Sequence, residues 1–282
     1  MKYLLYNPLS GKGNQAKEDA ARYAAALFVP AKTVNITEIA SIADFFDTLS
    51  PEDDVVIFGG DGSLNKLVNA LDGRAVEQEI YYFPCGTGND FARDIGEEKT
   101  RDPIPVSGYL RNLPTVTVNG VKSKFLNGVG FGIDGYCCEV GDELKRQHKS
   151  PNYTAIAIKG LFFHFKPVRA TVTVDGEAHE FRKVWIAPTM FGRYYGGGMM
   201  PTPHQDRTAP SRTVSVMLFH NMGKLKTLSI FPSLFKGEHV KHKKNVAILE
   251  GKRITVTFDR PASLQIDGET VLNVTTYTVE AE

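Results

Sequence analysis

The chemically richest stretch of this chain is VVIFGGDGSLNKLVNAL, residues 55 to 71. A buried-strand pattern ends in Gly59, Gly60, Asp61 and Gly62, and a helical pattern starts almost at once, with Leu64, Leu67, Val68 and Leu71 on one face. Glycine lets the backbone turn sharply and approach a ligand closely. The helix start that follows offers unpaired N–H groups and a partial positive charge, which suit phosphate. A tight turn capped by Asp61 or Ser63 is the plainer reading, but three glycines in four positions exceed what a cap needs. Two other strand patterns end in similar loops. Tyr3 to Tyr6 runs into Asn7, Pro8, Leu9, Ser10, Gly11, Lys12 and Gly13, and Ile80 to Phe83 runs into PCGTGND, with Thr87 and Asn89. Gly11-Lys12-Gly13 is not a Walker A loop, because no Gly-Lys-Ser/Thr stands at the required spacing.

Such loops need a frame. Up to about residue 115, short apolar runs alternate with helical patterns: Leu4 to Tyr6, Lys17 to Phe28, Val34 to Ile36, Ile42 to Leu49, Val55 to Phe58 and Ile80 to Phe83. Alternation of this kind predicts a parallel sheet with right-handed crossovers. Beyond 115 the texture is mostly β, as in Thr115 to Val118, Ala170 to Val174, Val184 to Ala187, Val214 to Phe219, Val246 to Leu249, Ile254 to Phe258 and Val271 to Val279. Helical patterns interrupt it at Cys138 to His148 and Tyr153 to Phe165. The expected architecture is an α/β N-terminal domain over 1–114 and a β-rich, sandwich-like domain over 115–282, with the active site in a cleft between them.

The 282 residues carry 33 Lys and Arg against 32 Asp and Glu, a formal net charge of +1. That balance argues against a dedicated nucleic-acid binder. Three cysteines, two of them adjacent (Cys137 and Cys138), make a poor disulfide framework and point to a reducing compartment. No signal-peptide pattern and no run of about 18 apolar residues is present. The expectation is a cytoplasmic protein, touching the inner membrane face from one side at most.

NPLSG, GGDGSLNKLVN and PCGTGNDFAR together resemble the signatures of the bacterial diacylglycerol kinase catalytic-domain family, which is related to sphingosine, ceramide and NAD kinases. NGVGFGID (127–134), YGGGM (195–199) and the DGE at 267–269 continue the likeness along nearly the whole chain. The resemblance implies a phosphofructokinase/NAD-kinase-like first domain that binds ATP, accompanied by Mg²⁺, and a second domain that receives the lipid. Asn7, Pro8, Leu9, Ser10, Gly11 and Thr37 would line the nucleotide. Gly59, Gly60, Asp61, Gly62 and Ser63 would hold phosphates, with Thr87 and Asn89 contributing from the third loop. The implied activity is transfer of the ATP γ-phosphate to a hydroxyl of diacylglycerol or a related lipid at the membrane surface. NAD kinase, or a non-catalytic nucleotide- or lipid-binding relative, is the alternative, and a homodimer is left open.

A hydroxyl attacking a γ-phosphorus gains from a carboxylate that accepts its proton. By resemblance that carboxylate is Asp267 or Glu269. Asp-Gly between alternating strands is also a strong hairpin signal, and the chain holds a second DGE at Asp175-Gly176-Glu177 between TVTV and AHEF. The hairpin explains Asp175 fully; Asp267 and Glu269 are assigned to catalysis on resemblance and position. Asp134 either contacts substrate or closes a Gly-rich turn.

Two departures from the family pattern stand out. Lys66 replaces a glutamate in the helix after GGDG. Ser211-Arg212 falls where the family has an Asp-Gly whose Asp holds a structural Mg²⁺; a neutral Ser is a weak ligand beside a carboxylate, so this metal position is expected to be degraded, with Asp206 able to substitute only if its loop bends back. Ile156, Ile158, Leu161, Phe162, Phe163 and Phe165 are candidates for an acceptor pocket or for core. KGEHVKHKK (236–244) reads as a lipid-headgroup patch or as a solvated loop.

Overall fold

A computed structural model of the chain describes residues 1–8, 10, 14–147, 149 and 151–281, with the side chains of Thr154 and Phe162 left aside. Leu9, Gly11, Lys12 and Gly13 of the first loop, and the Phe162 side chain, therefore lie outside the described residues. The chain divides into two compact units, Met1–Leu113 and Pro114–Glu282.

The first unit runs β1 (Lys2–Tyr6), α1 (Gln15–Ala26), β2 (Ala31–Asn35), α2 (Ile42–Asp47), β3 (Asp54–Gly59), α3 (Asp61–Leu71), β4 (Glu79–Pro84), α4 (Asp90–Asp94), β5 (Ile104–Pro105) and α5 (Ser107–Leu110). Its sheet has the order β2-β1-β3-β4-β5. The first four strands are parallel, and the short β5 adds an antiparallel edge. Val55, Val56, Ile57 and Phe58 of β3 are all buried, as a central strand covered on both faces requires. Leu64, Leu67, Val68 and Leu71 form the buried face of α3.

The second unit runs β6 (Thr115–Val118), β7 (Val121–Lys124), β8 (Gly128–Phe131), α6 (Ile133–Arg146), α7 (Tyr153–Lys159), β9 (Val168–Val174), β10 (Glu177–Val184), β11 (Thr189–Met190), β12 (Val214–Phe219), α8 (Lys224–Ile230), β13 (Val246–Gly251), β14 (Arg253–Ile266) and β15 (Glu269–Glu280). These strands form one ten-stranded sheet, antiparallel at every pairing, on the path β13-β12-β11-β8-β14-β15-β6-β7, with the β9-β10 hairpin joined to β14. Strand β14 is the hub, paired to β15, β8 and β9.

Two helices differ from the sequence reading. Helix α6 starts at Ile133, five residues earlier than its periodicity suggests. Gly132, at φ 106°, turns the chain into it, and Gly135 sits where a Cβ would lie 1.9 Å from the Ser263 carbonyl oxygen. The glycines read as a loop are thus packing residues of the first helical turn. Helix α7 is shorter than expected and passes at Gly160 into a π-helical turn, Gly160–His164.

Candidate functional site

Parallel pairing puts the carboxyl ends of β1, β2, β3 and β4 on one edge of the first sheet. The residues that follow, Asn7, Pro8 and Ser10, Thr37, Gly60 to Ser63 and Cys85 to Asn89, therefore gather at that edge. Asn7 donates its backbone N–H to the Phe58 carbonyl of β3 (3.1 Å), and Ser10 donates to the Asn7 carbonyl (3.0 Å). Asn7 Nδ2 donates to Ser63 Oγ at 2.9 Å, and Ser10 Oγ lies 2.8 Å from the same atom. Ser63 is buried. Its hydroxyl thus joins the first loop to the second rather than facing an open phosphate site. Gly59 permits this, because a Cβ there would sit 2.5 Å from Ser63 Oγ.

Helix α3 has no side-chain cap at its start, where Gly60 is extended. Asp61, one of the two caps considered from sequence, does other work. Its Oδ2 accepts the backbone N–H of Asp90 (2.8 Å) and its Oδ1 that of Phe91 (3.2 Å). The carboxylate caps α4, whose own N-cap residue, Asn89, supplies no side-chain bond. Asn89 adopts φ 49° and its Oδ1 accepts the Gly86 N–H at 3.0 Å, closing the third loop. Gly86 and Gly60 abut: a Cβ on Gly86 would lie 2.5 Å from the Gly60 Cα. Around Gly62 a Cβ would meet nothing within 4 Å. Pro8 is half-buried in the first turn, and Thr87 and Thr37 are exposed. Thr37 sits in a short 3₁₀ turn held by Asn35, which accepts from its N–H and its hydroxyl. Lys66 lies on the exposed face of α3. The edge thus presents an uncapped helix start between tightly packed glycine backbones, an arrangement that suits a phosphate chain. Cys85, beneath it, is a poor nucleophile, since burial pushes its thiol up to about 12.

In the second unit, Asp134 stands in the first turn of α6 and is buried. Its Oδ2 is 3.4 Å from the Tyr195 hydroxyl, and its Oδ1 has no hydrogen-bond partner among the described residues. Burial pushes this carboxyl up to about 7, against smaller opposing effects of backbone N–H groups and Tyr195. The same burial raises Tyr195 well above its ordinary value. An oxygen left unpaired in a buried site calls for a physical reason, and a functional role is one such reason.

Asp267 differs from its expected role. It holds φ 45° beside Gly268 at φ 94°, the tight two-residue turn joining β14 to β15. Its carboxylate accepts backbone N–H groups from Leu126 (2.5 Å), Asn127 (2.9 Å) and Gly128 (3.0 Å). Asp175, the hairpin control, does the same with the N–H groups of Lys252 and Arg253, at φ 48°. Asp267 thus serves as a clasp that fastens the DGE turn to the 126–128 segment, at the position the sequence reading gave to a proton acceptor. Glu269 is exposed at the start of β15.

Sequence reading missed Arg207. It is buried; its Nη1 donates to the Leu126 carbonyl (3.2 Å), its Nη2 to Asn127 Oδ1 (3.1 Å), and its guanidinium lies over the Phe191 ring. An arginine in a Pro-rich loop reads as solvated, and nothing in PTPHQDRTAPSR signals otherwise. Ser211 is exposed, next to Arg212 at φ 46°. Asp206 is exposed too, and is engaged by the Thr208 N–H and hydroxyl. Among the described residues no three His, Cys, Asp or Glu side chains converge. The described residues of this loop do not fit a structural Mg²⁺ site: Ser211 is a neutral, exposed side chain, Asp206 is engaged by Thr208, and buried Arg207 brings a guanidinium. A cavity of about 370 Å³ under the same loop, lined by Thr202, Gln205, Ser215, Lys243 and Glu250 among others, contains none of the sequence-predicted site residues.

Ile156 and Leu161 belong to the core cluster around Trp185, with Phe165 packed against it, whereas Ile158 and Phe163 face outward. Of the two readings, core thus holds for Ile156, Leu161 and Phe165. In 236–244, His239 is buried and bonded to the Pro201 carbonyl, and Lys241 pairs with Glu238.

Comparison with known proteins gives the family. Residues 2–116 match the diacylglycerol kinase catalytic domain, and residues 127–281 match the YegS C-terminal NAD kinase beta sandwich-like domain. The chain belongs to this family of lipid kinases. The diacylglycerol kinase of Mycobacterium tuberculosis is 26% identical over 251 residues, covering 84% of this chain and 78% of that protein. That of Bacillus subtilis is 23% identical over 282 residues, covering 94% and 88%. In fold, the crystal structure of a diacylglycerol kinase from Bacillus anthracis superposes with a TM-score of 0.62 at 18% identity, covering 99% of this chain and 92% of the other.

Proposed function

We propose that this protein is an ATP-dependent lipid kinase acting on a hydroxyl of diacylglycerol or a related lipid. The observation that carries the reading is the uncapped start of α3 between the abutting Gly60 and Gly86, at the edge where three loops meet. Those backbones suit the ATP phosphates, with Thr37 and Thr87 at the rim; an Mg²⁺ bound with the nucleotide would supply charge neutralisation there. The second unit supplies the acceptor side.

In the transfer, the lipid hydroxyl oxygen attacks the γ-phosphorus, the bond to the β–γ bridging oxygen breaks, and ADP leaves. The hydroxyl proton goes to a carboxylate. Asp134 fits that part better than Asp267: it has an unpaired oxygen, and a carboxyl raised to about 7 is poised to take a proton near neutral pH. Asp267 and Arg207 position the 126–128 segment that leads into Asp134.

The test is transfer of label from γ-labelled ATP to an extractable lipid across a panel of diacylglycerols and related alcohols. Label in a lipid, lost in Asp134→Asn, supports the reading. Label in NADP, or nucleotide binding without transfer to any member of the panel, defeats it.

A further inference from the structure

Helices α7 and α8 carry apolar residues on two sides. Their inner sides supply Ile156, Ala157 and Ile230 to the core around Trp185, joined by Leu161 of the intervening π-helical turn. Their outer sides leave Ile158 at 41%, Phe163 at 77% and Leu225 at 75% exposure. A globular helix normally turns one apolar stripe inward and a polar face outward. The Gly160–His164 turn packs against α8.

The turn is held in place. A Cβ on Gly160 would lie 2.6 Å from the Tyr136 ring, so only glycine lets the segment press against α6. The Phe165 N–H closes on the Gly160 carbonyl at 2.7 Å. Arg260 donates to the carbonyls of Lys166 and Pro167, just past the turn. Phe163 is thus presented outward by a seated element.

The charges that these two segments themselves carry have one sign. Lys159, Lys166, Lys224 and Lys226 are exposed about them. The chain holds 32 Asp and Glu in 282 residues, yet none falls between Arg146 and Val174, nor between Arg207 and Gly237. Apolar tips ringed by lysines, with no acid in either segment, complement an anionic bilayer: the tips enter the acyl boundary while the lysines meet lipid phosphates.

We propose that the outer face of α7, the Gly160–His164 turn and α8 docks the protein on an anionic membrane surface, with Phe163 and Leu225 inserted and Lys159, Lys224 and Lys226 against the headgroups. The proposal rests on the lipid-kinase reading for its purpose, since the substrate resides in a bilayer, but it is measured without turnover.

The experiment is flotation of the full chain, without nucleotide, with vesicles of phosphatidylcholine containing phosphatidylglycerol and with vesicles of phosphatidylcholine alone. The protein should float with the anionic vesicles, and binding should weaken with salt. Phe163→Asp and Leu225→Asp should each weaken binding about tenfold. Lys224→Glu with Lys226→Glu should weaken it by at least about twentyfold, roughly fivefold for each positive charge removed. Leu225→Asp should keep its unfolding midpoint and its transfer to a short-chain lipid dispersed in detergent.

Failure to bind anionic vesicles, or binding that none of these variants changes, overturns the docking face. So does a dimer in sedimentation that Phe163→Asp dissociates, since the face would then be a protein contact. Detergent-dispersed transfer that persists when vesicle binding is absent removes the docking face and leaves the kinase reading standing. Vesicle binding without transfer to any lipid does the reverse.

Discussion

Asp61 clasps Asp90: the carboxylate of the GGDG loop accepts the backbone N–H at the start of α4 at 2.8 Å and, through its second oxygen, the N–H of Phe91. The GGDG loop is thereby fastened to the PCGTGND loop across 29 residues of sequence. Its acid serves backbone alignment, which also resolves the oddity of a negative charge in a loop suited to anions.

Asp61→Ala should therefore cost about 1–2 kcal/mol of stability, as loss of a helix cap does. The local effect should be faster hydrogen exchange at the amides of Asp90 and Phe91. Asp61→Asn, which keeps one acceptor oxygen, should lose less, and both variants should transfer phosphate more slowly. Unchanged exchange at those amides would contradict the clasp.

The two Asp-Gly turns give a matched pair. Asp267→Asn replaces a carboxylate that meets three N–H groups with an amide offering a single oxygen, and should cost about 2–3 kcal/mol. Glu269→Gln, at an exposed position, should stay within about 0.5 kcal/mol. Asp175→Asn should lower stability and leave transfer untouched. If Asp267→Asn abolished transfer with an unchanged urea midpoint, Asp267 would act on substrate.

Asp134 links stability to pH with a definite sign. Folded, it keeps its proton up to about pH 7; its ordinary value is 3.8. Between those values the native state binds more protons, so stability falls as pH rises, and the loss is complete above about pH 7. Asp134→Asn should remove this dependence and gain relative to the wild type with rising pH, on the order of 4 kcal/mol at most. In wild-type kinetics, kcat/KM should rise with pH through a limb near 7. Equal pH slopes of stability in the two proteins would show that Asp134 is not held protonated.

Arg207 predicts metal independence of the fold. Arg207→Ala leaves the Leu126 carbonyl and Asn127 Oδ1 without their donor and should cost about 3 kcal/mol, with Arg207→Lys intermediate. Without nucleotide, EDTA should leave the thermal midpoint of the wild type unchanged. A drop on chelation would mean that a metal, not the guanidinium, organises this segment.

Patterns local in sequence were legible; pairings across long separations were not. The parallel strands and the helix after GGDG could be read because burial on both faces and a 3.6-residue period leave a local trace. The early start of α6 was not legible, because the need for Gly135 comes from the approach of Ser263, over a hundred residues away. Asp61 and Asp267 stood out as chemically important, but their partners are backbone N–H groups, which have no signature in a sequence. Arg207 was invisible because its acceptors, the Leu126 carbonyl and Asn127 Oδ1, stand 81 and 80 residues earlier in the chain. Asp134 could be named as a candidate; what decides between its readings is burial, which only the fold supplies.

Strand β14 has a consequence for how the protein is made. It inserts between β8 and β15, and its Asp267 turn meets residues 139 to 141 positions earlier in the chain. During synthesis the parallel strands of the first unit can pair while later residues are still emerging, but β8 must wait with an open edge until β14 leaves the ribosome. The second unit is therefore the slow and aggregation-exposed step of biogenesis, and a nascent chain halted before residue 253 should engage chaperones that the finished protein does not.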